Sequence, residues 1–148
     1  KKILHKDKIA RLSSDYLNEG RKQDTWEITH VEVEGEKLTA KVRMCSFYQS
    51  PTDSSGFHLT SLSTLEFLSQ LFIIYGHVLA GLDEKNQEGW MMESSITCVR
   101  ALRDPENISV EMEFETLKKV RNRLLGTATA KVYDDHGLFE ARIKALLA

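Results

Sequence analysis

The spacing of apolar and polar residues predicts a short helix and a strand pair in the first third of the chain. Residues 8–18 carry apolar side chains at helical spacing, and Gly20 follows as a candidate C-cap. Residues 26–33 and 38–44 flank a turn at Gly35, and the apolar positions of the second segment alternate strictly with polar ones. The sequence therefore predicts an N-terminal helix followed by a hairpin with one solvated face.

A long and almost entirely apolar helix is predicted to start near Ser61 or Ser63 and to run to about residue 80. Its apolar side chains point in nearly every direction around the axis, which is typical of a helix that is buried on most sides. Gly81 follows as its C-cap. The preceding residues 46–60 have the densest turn-forming sequence in the chain. We therefore expect a loop that leads directly into a buried central helix.

The remainder of the chain alternates between strand patterns and turn signals. Strands are expected at residues 90–102, 108–117, 124–133 and 138–146. Because the links between them are short, neighbouring strands should be antiparallel. The whole order predicts an α+β fold in which an antiparallel sheet wraps around one long central helix, with a short N-terminal helix, in a single domain spanning residues 1–148.

Composition and charge exclude several classes of function. The chain has 148 residues, of which 41% are hydrophobic, and this is enough for one packed core. Its 20 Lys and Arg residues against 22 Asp and Glu residues leave a formal charge of -2, so no overall basic field attracts nucleic acid. The longest apolar stretch, residues 67–82, is interrupted by polar residues and glycine, so we expect no membrane insertion.

The two cysteines indicate a reducing compartment. Cys45 and Cys98 both lie in apolar segments and form no C-x-x-C pair. This usage argues against a disulfide framework and against a zinc site. We therefore expect a cytoplasmic protein without a bound metal.

The predicted central helix carries one stripe of polar residues. Its strongly polar residues after the first turn are Glu66, Ser69, Gln70 and His77, and their spacing places them on roughly one face. An ionised carboxylate that is buried without partners is costly, so Glu66 should be paired, partly exposed in a cleft or shifted toward neutrality. Each of these conditions favours general acid or base catalysis.

A structural interpretation of the stripe stays open beside the catalytic one. Ser63 and Glu66 have the spacing of a capping box, in which Glu66 accepts a hydrogen bond from the first backbone N–H of the helix. Ser69 can bond back to the preceding turn, and Gln70 can satisfy a strand carbonyl. His77 lies one turn from the predicted helix end, where a histidine most often contacts the terminal carbonyls, so we interpret it as structural.

The order of elements resembles that of the hot-dog fold, a family that handles acyl thioesters of coenzyme A or acyl carrier protein. Residues 65–70, with the sequence LEFLSQ, resemble the Glu-x-[Leu/Met]-[Ala/Ser]-Gln segment on the central helix of the β-hydroxyacyl thioester dehydratases. Glu66 and Gln70 fall on the matching positions. In those dehydratases the glutamate works with a histidine from another subunit.

A second resemblance is to the type III long-chain acyl-CoA thioesterases. Tyr48 matches a tyrosine that precedes the loop in that family, and Thr60 and Ser69 occupy positions where the family has amide residues. The resemblance implies that Glu66 or the Tyr48 hydroxyl, with Ser69 and Gln70, activates a water for hydrolysis of a fatty-acyl thioester.

The loop before the helix is expected to bring the thioester carbonyl to the helix N-terminus. Gly56, Phe57 and Thr60 would form this approach, where backbone N–H groups stabilise developing negative charge. The dehydratases have a histidine in the equivalent loop that this chain lacks at the expected distance, and His58 is the candidate substitute. A dehydratase-like enzyme and a non-catalytic acyl-thioester binding or regulatory protein with a degenerate site therefore remain alternatives to the thioesterase.

A local basic cluster at residues 118–123 suggests how the substrate is held. Lys119, Arg121 and Arg123 would bind the phosphates of coenzyme A or the acidic surface of an acyl carrier protein, although a solvated turn explains the cluster as well. The resemblance places it at a sheet edge near the pantetheine arm. It also implies a homodimer or dimer of dimers, and no cofactor apart from the coenzyme A or phosphopantetheine of the substrate.

Overall fold

The computed structural model describes residues 1–13, 24–47 and 56–148. Within these ranges the chain forms one seven-stranded antiparallel sheet and two helices. The elements in chain order are β1 (Lys2–Leu4), α1 (Lys6–Leu12), β2 (Thr25–Glu34), β3 (Lys37–Ser46), α2 (Ser61–Leu79), β4 (Gly89–Arg100), β5 (Ile108–Val120), β6 (Arg123–Tyr133) and β7 (Leu138–Leu147).

The sheet has the strand order β1-β2-β3-β5-β6-β7-β4, and every neighbouring pair is antiparallel. The alternating strands turn their apolar residues toward α2 and their polar residues toward solvent, because successive side chains of a strand point to opposite faces. The predicted fold class, an antiparallel sheet with one long central helix and a short N-terminal helix, is confirmed. Register matters here because a slip by one residue would turn the apolar face outward.

Helix α2 forms the centre of the core. Phe67, Leu68, Leu71 and Ile74 are fully buried or nearly so, and the helix is buried along almost its whole second half. Burial of each such side chain contributes about 1.5 to 3 kcal/mol to folding. The helix is long and apolar enough to cross a membrane, but 72% of its apolar window is buried inside the protein. In this structure α2 is therefore a core helix.

The N-terminal helix is shorter than the sequence predicts. It ends at Leu12, and Ser13 adopts an extended conformation with φ -89° and ψ 149°. The Ser13 hydroxyl donates a hydrogen bond to the carbonyl of Ile9 at 2.5 Å, which closes the last helical turn and competes with its continuation. The predicted C-cap at Gly20 lies outside the described residues.

The two edges of the sheet differ in length and protection. Strand β1, which the sequence did not predict, is three residues long and forms the edge next to β2. Lys1, directly before it, forms a salt bridge with Glu32 at 3.2 Å. Strand β4 is twelve residues long and contains neither lysine nor proline. Short edges with lysine resist pairing with another chain, whereas a long edge strand invites it. Only the β1 edge is protected in this way.

Asp134 connects two turns at one end of the sheet. Its Oδ2 accepts hydrogen bonds from the backbone N–H groups of Arg103 and Asp104, at 2.7 and 2.8 Å. Its Oδ1 accepts from those of His136 and Gly137, at 2.7 and 2.6 Å. Burial alone would raise the pKa of this carboxyl, but the four backbone donors outweigh it and lower the pKa. The carboxylate therefore acts as a clamp between the β4–β5 and β6–β7 connections.

The clamped β4–β5 connection in turn supports the start of α2. The backbone N–H of Leu59 donates to the carbonyl of Leu102 at 3.2 Å, directly before the residues that Asp134 binds. Leu59 and Leu102 are both buried. The position of the helix N-terminus thus depends on a tertiary contact rather than on the local sequence alone.

Candidate functional site

The first turn of α2 shows that Glu66 does not cap the helix. Thr60 is the N-cap, and its Oγ1 accepts a hydrogen bond from the backbone N–H of Ser63 at 3.1 Å. Thr64 Oγ1 donates to the carbonyl of Thr60 at 2.8 Å. The helix therefore begins before Ser63, and the capping-box interpretation of Ser63 and Glu66 is wrong. Glu66 lies beyond the first turn, and its carboxylate does not cap the helix.

The carboxylate of Glu66 is half-buried and meets the indole of Trp26. Trp26 Nε1 donates a hydrogen bond to Glu66 Oε1 at 3.4 Å. The Trp26 ring also packs edge-on against Phe67, with ring centroids 6.1 Å apart and an interplanar angle of 80°. The contact between Trp26 and Glu66 has no local signal in the sequence, because it joins residues that are 40 positions apart.

Ser69 takes the structural role that was left open for it, and Gln70 is buried on the same side of the helix. Ser69 Oγ donates to the carbonyl of Leu65 at 2.7 Å, so its proton is committed to the preceding turn. Gln70 is almost fully buried and lies in a cleft of ≈ 350 Å³ between α1, β2 and α2. Both residues share the Glu66 side of the helix, and the Ser69 oxygen can still accept a hydrogen bond.

His77 is a structural residue, as predicted. It is fully buried, and its Nδ1 lies 2.8 Å from the carbonyl oxygen of Ile73. Its Nε2 accepts hydrogen bonds from the backbone N–H groups of Asn86 and Gln87, at 3.1 and 3.3 Å. Since a carbonyl only accepts and an N–H only donates, the ring carries its proton on Nδ1. His77 thereby fastens the loop after α2 to the helix end.

An open apolar groove runs along the N-terminal half of α2. Leu62 is 49% exposed, and Leu65, Glu66 and Ser69 are half-buried, so these residues form one accessible stripe on an otherwise buried helix. The groove, with a volume of ≈ 430 Å³, is lined by Ser61, Leu62, Leu65, Ser94 and Ile96. Glu66 therefore stands beside an apolar surface that is open to solvent.

Strand β4 forms the second wall of this groove. Ser94 and Ile96 are paired with the buried residues Ile143 and Ala141 of β7, so they point to the same face of the sheet as the core. At the end of the strand, Cys98 Sγ lies 3.5 Å from Ser61 Oγ at the start of α2. The groove is thus bounded by α2 on one side and by the unpaired edge of the sheet on the other.

The loop before α2 is anchored by a buried aromatic pair. Phe57 is 5% exposed and packs against Phe47, with ring centroids 4.8 Å apart, so its ring is part of the core. Gly56 has φ 89°, a left-handed conformation that favours glycine. His58 is half-buried and precedes the N-cap Thr60 by two residues. Tyr48 lies outside the described residues.

The basic cluster lies at the opposite end of the helix from Glu66. Lys119, Arg121 and Arg123 belong to the β5–β6 turn, and a cavity of ≈ 120 Å³ separates that turn from Gly76 and Leu79 near the C-terminus of α2. Because β5 and β6 are interior strands, the expectation that the cluster lies at a sheet edge is wrong. The structure places Glu66 and Ser69 on the same side of α2, with Thr60 before them as the N-cap, and the basic residues lie at the other end of the helix within one chain.

Comparison with known proteins identifies the fold. No family model matches the sequence, and no curated protein is similar to it in sequence. Among solved structures, a hypothetical thioesterase from Streptococcus pneumoniae with coenzyme A matches with TM-score 0.53 and 10% identity, covering 84% of this chain and 89% of its own. The chain has the hot-dog fold.

Two further hot-dog structures extend this similarity. The putative thioesterase yhdA from Lactococcus lactis matches with TM-score 0.55 and 8% identity, covering 85% of this chain and 92% of its own. The protein smu.793 from Streptococcus mutans, bound to acetyl CoA, matches with TM-score 0.51 and 10% identity, covering 90% and 97%. At these identities the similarity is one of fold, and the chemistry of the site has to be argued from its own residues.

Proposed function

We propose that this protein is a thioesterase that hydrolyses fatty-acyl thioesters of coenzyme A or acyl carrier protein. The observation that carries the proposal is the half-buried carboxylate of Glu66, bonded to Trp26 at 3.4 Å, beside an open apolar groove on an otherwise buried helix. The groove offers apolar surface for an acyl chain, and the carboxylate offers a base. Several proteins with this fold are named thioesterases, and two contain coenzyme A or acetyl CoA.

The proposed reaction is direct attack of water on the thioester carbonyl. Glu66 accepts a proton from the water as the oxygen bonds to the carbonyl carbon. Backbone N–H groups of Ser61 and Leu62, in the first turn of α2, stabilise the oxyanion. The C–S bond then breaks and the carboxylic acid forms. The leaving thiolate takes the proton from Glu66, so coenzyme A or carrier thiol is released and the Glu66 carboxylate is restored. In this scheme Tyr48, Ser69, Gln70 and His58 remain candidates for orienting the water.

The proposal is tested with the purified protein and acyl-CoA substrates. Saturated and 3-hydroxyacyl-CoA esters of several chain lengths are incubated with the protein, and the products are resolved by mass spectrometry. Free acid and coenzyme A are the expected products. Loss of one water from the 3-hydroxyacyl esters would instead identify a dehydratase, and intact acyl-CoA retained without turnover would identify a binding protein.

We also propose that two copies assemble through the open edge strand β4. Trp90 and Met92 of this strand are 62% and 54% exposed, and Leu62 of α2 is exposed next to it. Pairing of β4 with a second β4 would satisfy its outward backbone groups, continue the sheet and cover the groove beside Glu66. A second copy of this chain would then cover the open side of the groove.

Replacing Met92 by Lys is expected to shift this dimer toward monomer. A lysine at position 92 places a charge on the joined edge of each copy, and dissociation should become at least about tenfold easier. Sedimentation velocity over a range of protein concentrations measures the change. Ile3→Lys is the matched control, because Ile3 is 51% exposed and lies on the other edge strand. If both variants dissociate equally, or neither does, β4 is not the interface.

The dimer would also give the basic turn a role in the partner's site. Gly89 at the start of β4 pairs with Leu147, and Leu147 pairs with Leu124 beside the basic turn. The start of β4 and the basic turn therefore lie at the same end of the sheet. Cys98 near the end of β4 contacts Ser61 at the start of α2. Antiparallel pairing of two β4 strands exchanges these ends, so the basic turn of one copy would lie near the groove of the other. Lys119, Arg121 and Arg123 would then bind the coenzyme A phosphates in trans.

Mixed dimers test the trans arrangement. Glu66→Gln is coexpressed with an Arg121→Ala/Arg123→Ala variant under different tags, and the heterodimer is purified. In trans, one site has both Glu66 and the arginines, so turnover of acyl-CoA at low concentration should return to about half that of the native dimer. A heterodimer no more active than its parents would contradict the arrangement. Short N-acetylcysteamine thioesters, which lack the phosphates, should be insensitive to the arginine changes.

The cellular setting we propose is the cytoplasm, and the proposed hydrolysis uses no cofactor beyond the coenzyme A or phosphopantetheine of the substrate. Cys45 and Cys98 are free and exposed, which suits a reducing compartment. Water is the only other reactant.

A further inference from the structure

Trp26 occupies a position that packing alone does not require. It begins strand β2, opposite the buried Met44 of β3, and its indole reaches across to α2. Phe67 receives the edge of the ring, while the indole N–H is directed to Oε1 of Glu66. A phenylalanine or leucine would fill the apolar part of this contact, but neither could donate the hydrogen bond.

We propose that Trp26 is a positioning residue for Glu66, whose indole N–H holds one carboxylate oxygen in place. The inference rests on the proposed function, in which Glu66 is the base. A glutamate side chain has three rotatable bonds and loses free energy when it is ordered. The Trp26 side chain has two rotatable bonds, and its ring is fixed between β2 and Phe67. The indole N–H is therefore a preorganised donor that limits the carboxylate to one orientation.

The neighbouring ionisable groups do not replace this contact. Glu27, the next residue of β2, points away and pairs with Arg43 at 2.9 Å and Lys6 at 3.3 Å. Lys6 and Asp7 of α1 line the cleft that also contains Trp26 and Gln70. Trp26 donates the observed hydrogen bond to Glu66 Oε1. The nearby charges of Lys6 and Arg43 are engaged in salt bridges with Glu27.

The kinetic test replaces Trp26 by Phe, which keeps an aromatic edge against Phe67 and removes the donor. We expect kcat for acyl-CoA hydrolysis to fall about tenfold while KM changes less than about twofold, because the donor orients the base and does not touch the acyl groove. Tyr133→Phe is the matched control, since it removes a hydroxyl that bonds to the carboxylate of Glu111 on the outer face of the sheet. An unchanged kcat in Trp26→Phe, or an equal loss in the control, would overturn the inference.

A spectroscopic test needs no substrate. The chain has two tryptophans, so Trp90→Phe leaves Trp26 as the single emitter. Its emission should titrate in the acidic range where carboxyl groups gain a proton, and the added Glu66→Gln change should abolish that titration, while Lys6, Asp7 and Glu27 remain. A titration that persists without the Glu66 carboxyl would refute the contact. If the native protein turns over no thioester, the proposed function fails, whereas normal native turnover with a normal Trp26→Phe variant defeats only the positioning role.

Discussion

The Glu66→Gln protein is expected to lose acyl-CoA hydrolysis by about a hundredfold or more in kcat/KM. An amide of the same shape cannot accept the proton of the attacking water, and general-base catalysis typically contributes a factor of about 10² to 10⁴. Folding should be preserved, since Thr60 and not Glu66 caps the helix and Trp26 can still donate to the amide oxygen. The free energy of unfolding should change by less than about 1 kcal/mol. Product-resolved kinetics and urea denaturation measure the two quantities.

A second Glu→Gln change serves as the control for this result. Glu115 is an exposed residue of β5 that pairs with Arg142 at 3.2 Å, so Glu115→Gln removes a surface charge that does not line the groove. It should leave turnover unchanged and cost at most about 1 kcal/mol of stability. Full activity of Glu66→Gln would remove Glu66 from the mechanism, and Tyr48 or His58 would then become the candidate for activating the water.

Asp134→Ala is expected to lower the free energy of unfolding by about 2 to 3 kcal/mol at neutral pH. The substitution leaves four backbone N–H groups of two turns without their carboxylate acceptor. One hydrogen bond to a charged group contributes about 1.5 to 3 kcal/mol net, and at this half-buried site water can take over part of the lost contacts. The β4–β5 connection should loosen first, and with it the Leu59 contact that supports the start of α2. Chemical denaturation gives the stability, and amide hydrogen exchange locates the loosened turns.

The same clamp gives stability a defined dependence on pH. The folded-state pKa of Asp134 is lowered, although burial opposes this, because the four backbone donors favour the ionised form. Its contribution is therefore fully present above the unfolded pKa, about 3.9, and is lost as the pH falls through the folded value. The stability difference between the native protein and Asp134→Ala should be constant from neutral pH to about pH 5 and shrink below about pH 4.

A surface aspartate provides the comparison for Asp134. The Asp83 side chain is 81% exposed and pairs with Lys8 at 3.1 Å, and such exposed pairs contribute about 0 to 1 kcal/mol. Asp83→Ala should therefore be nearly neutral. If Asp134→Ala is equally mild, or if its effect is unchanged at acidic pH, the clamp does not contribute as the four hydrogen bonds suggest.

Several elements were predictable because their signal is local. The strict alternation in β3 and β5 predicted strands with one solvated face, and both have that burial pattern. The apolar residues around α2 predicted a buried helix, and Gly81 with φ 71° ends it as expected. The structural role of His77 was also predicted, because its distance from the helix end limits the partners it can reach.

Other features were missed or misplaced because their cause lies far away in sequence. The start of α2 was predicted near Ser61 or Ser63, and the helix begins at Ser61. The capping box of Ser63 and Glu66 was wrong, because Thr60 provides the cap and Leu102 supports it from another strand connection. Ser13 ended α1 earlier than its apolar pattern suggested. Arg121, with φ 56° in the β5–β6 turn, lies between interior strands and not at an edge, which strand order alone reveals.

What the sequence by itself determined is the order of the elements from α1 to β7 and the carboxylate on the buried helix, because periodicity and turn chemistry act between near neighbours. What only the tertiary structure decided is the surroundings of that carboxylate. Trp26 as its partner, the groove between α2 and Ile96, and the open edge at β4 all depend on which strands lie next to each other. Strand order results from long-range packing, whose contacts leave no periodic signal in the chain.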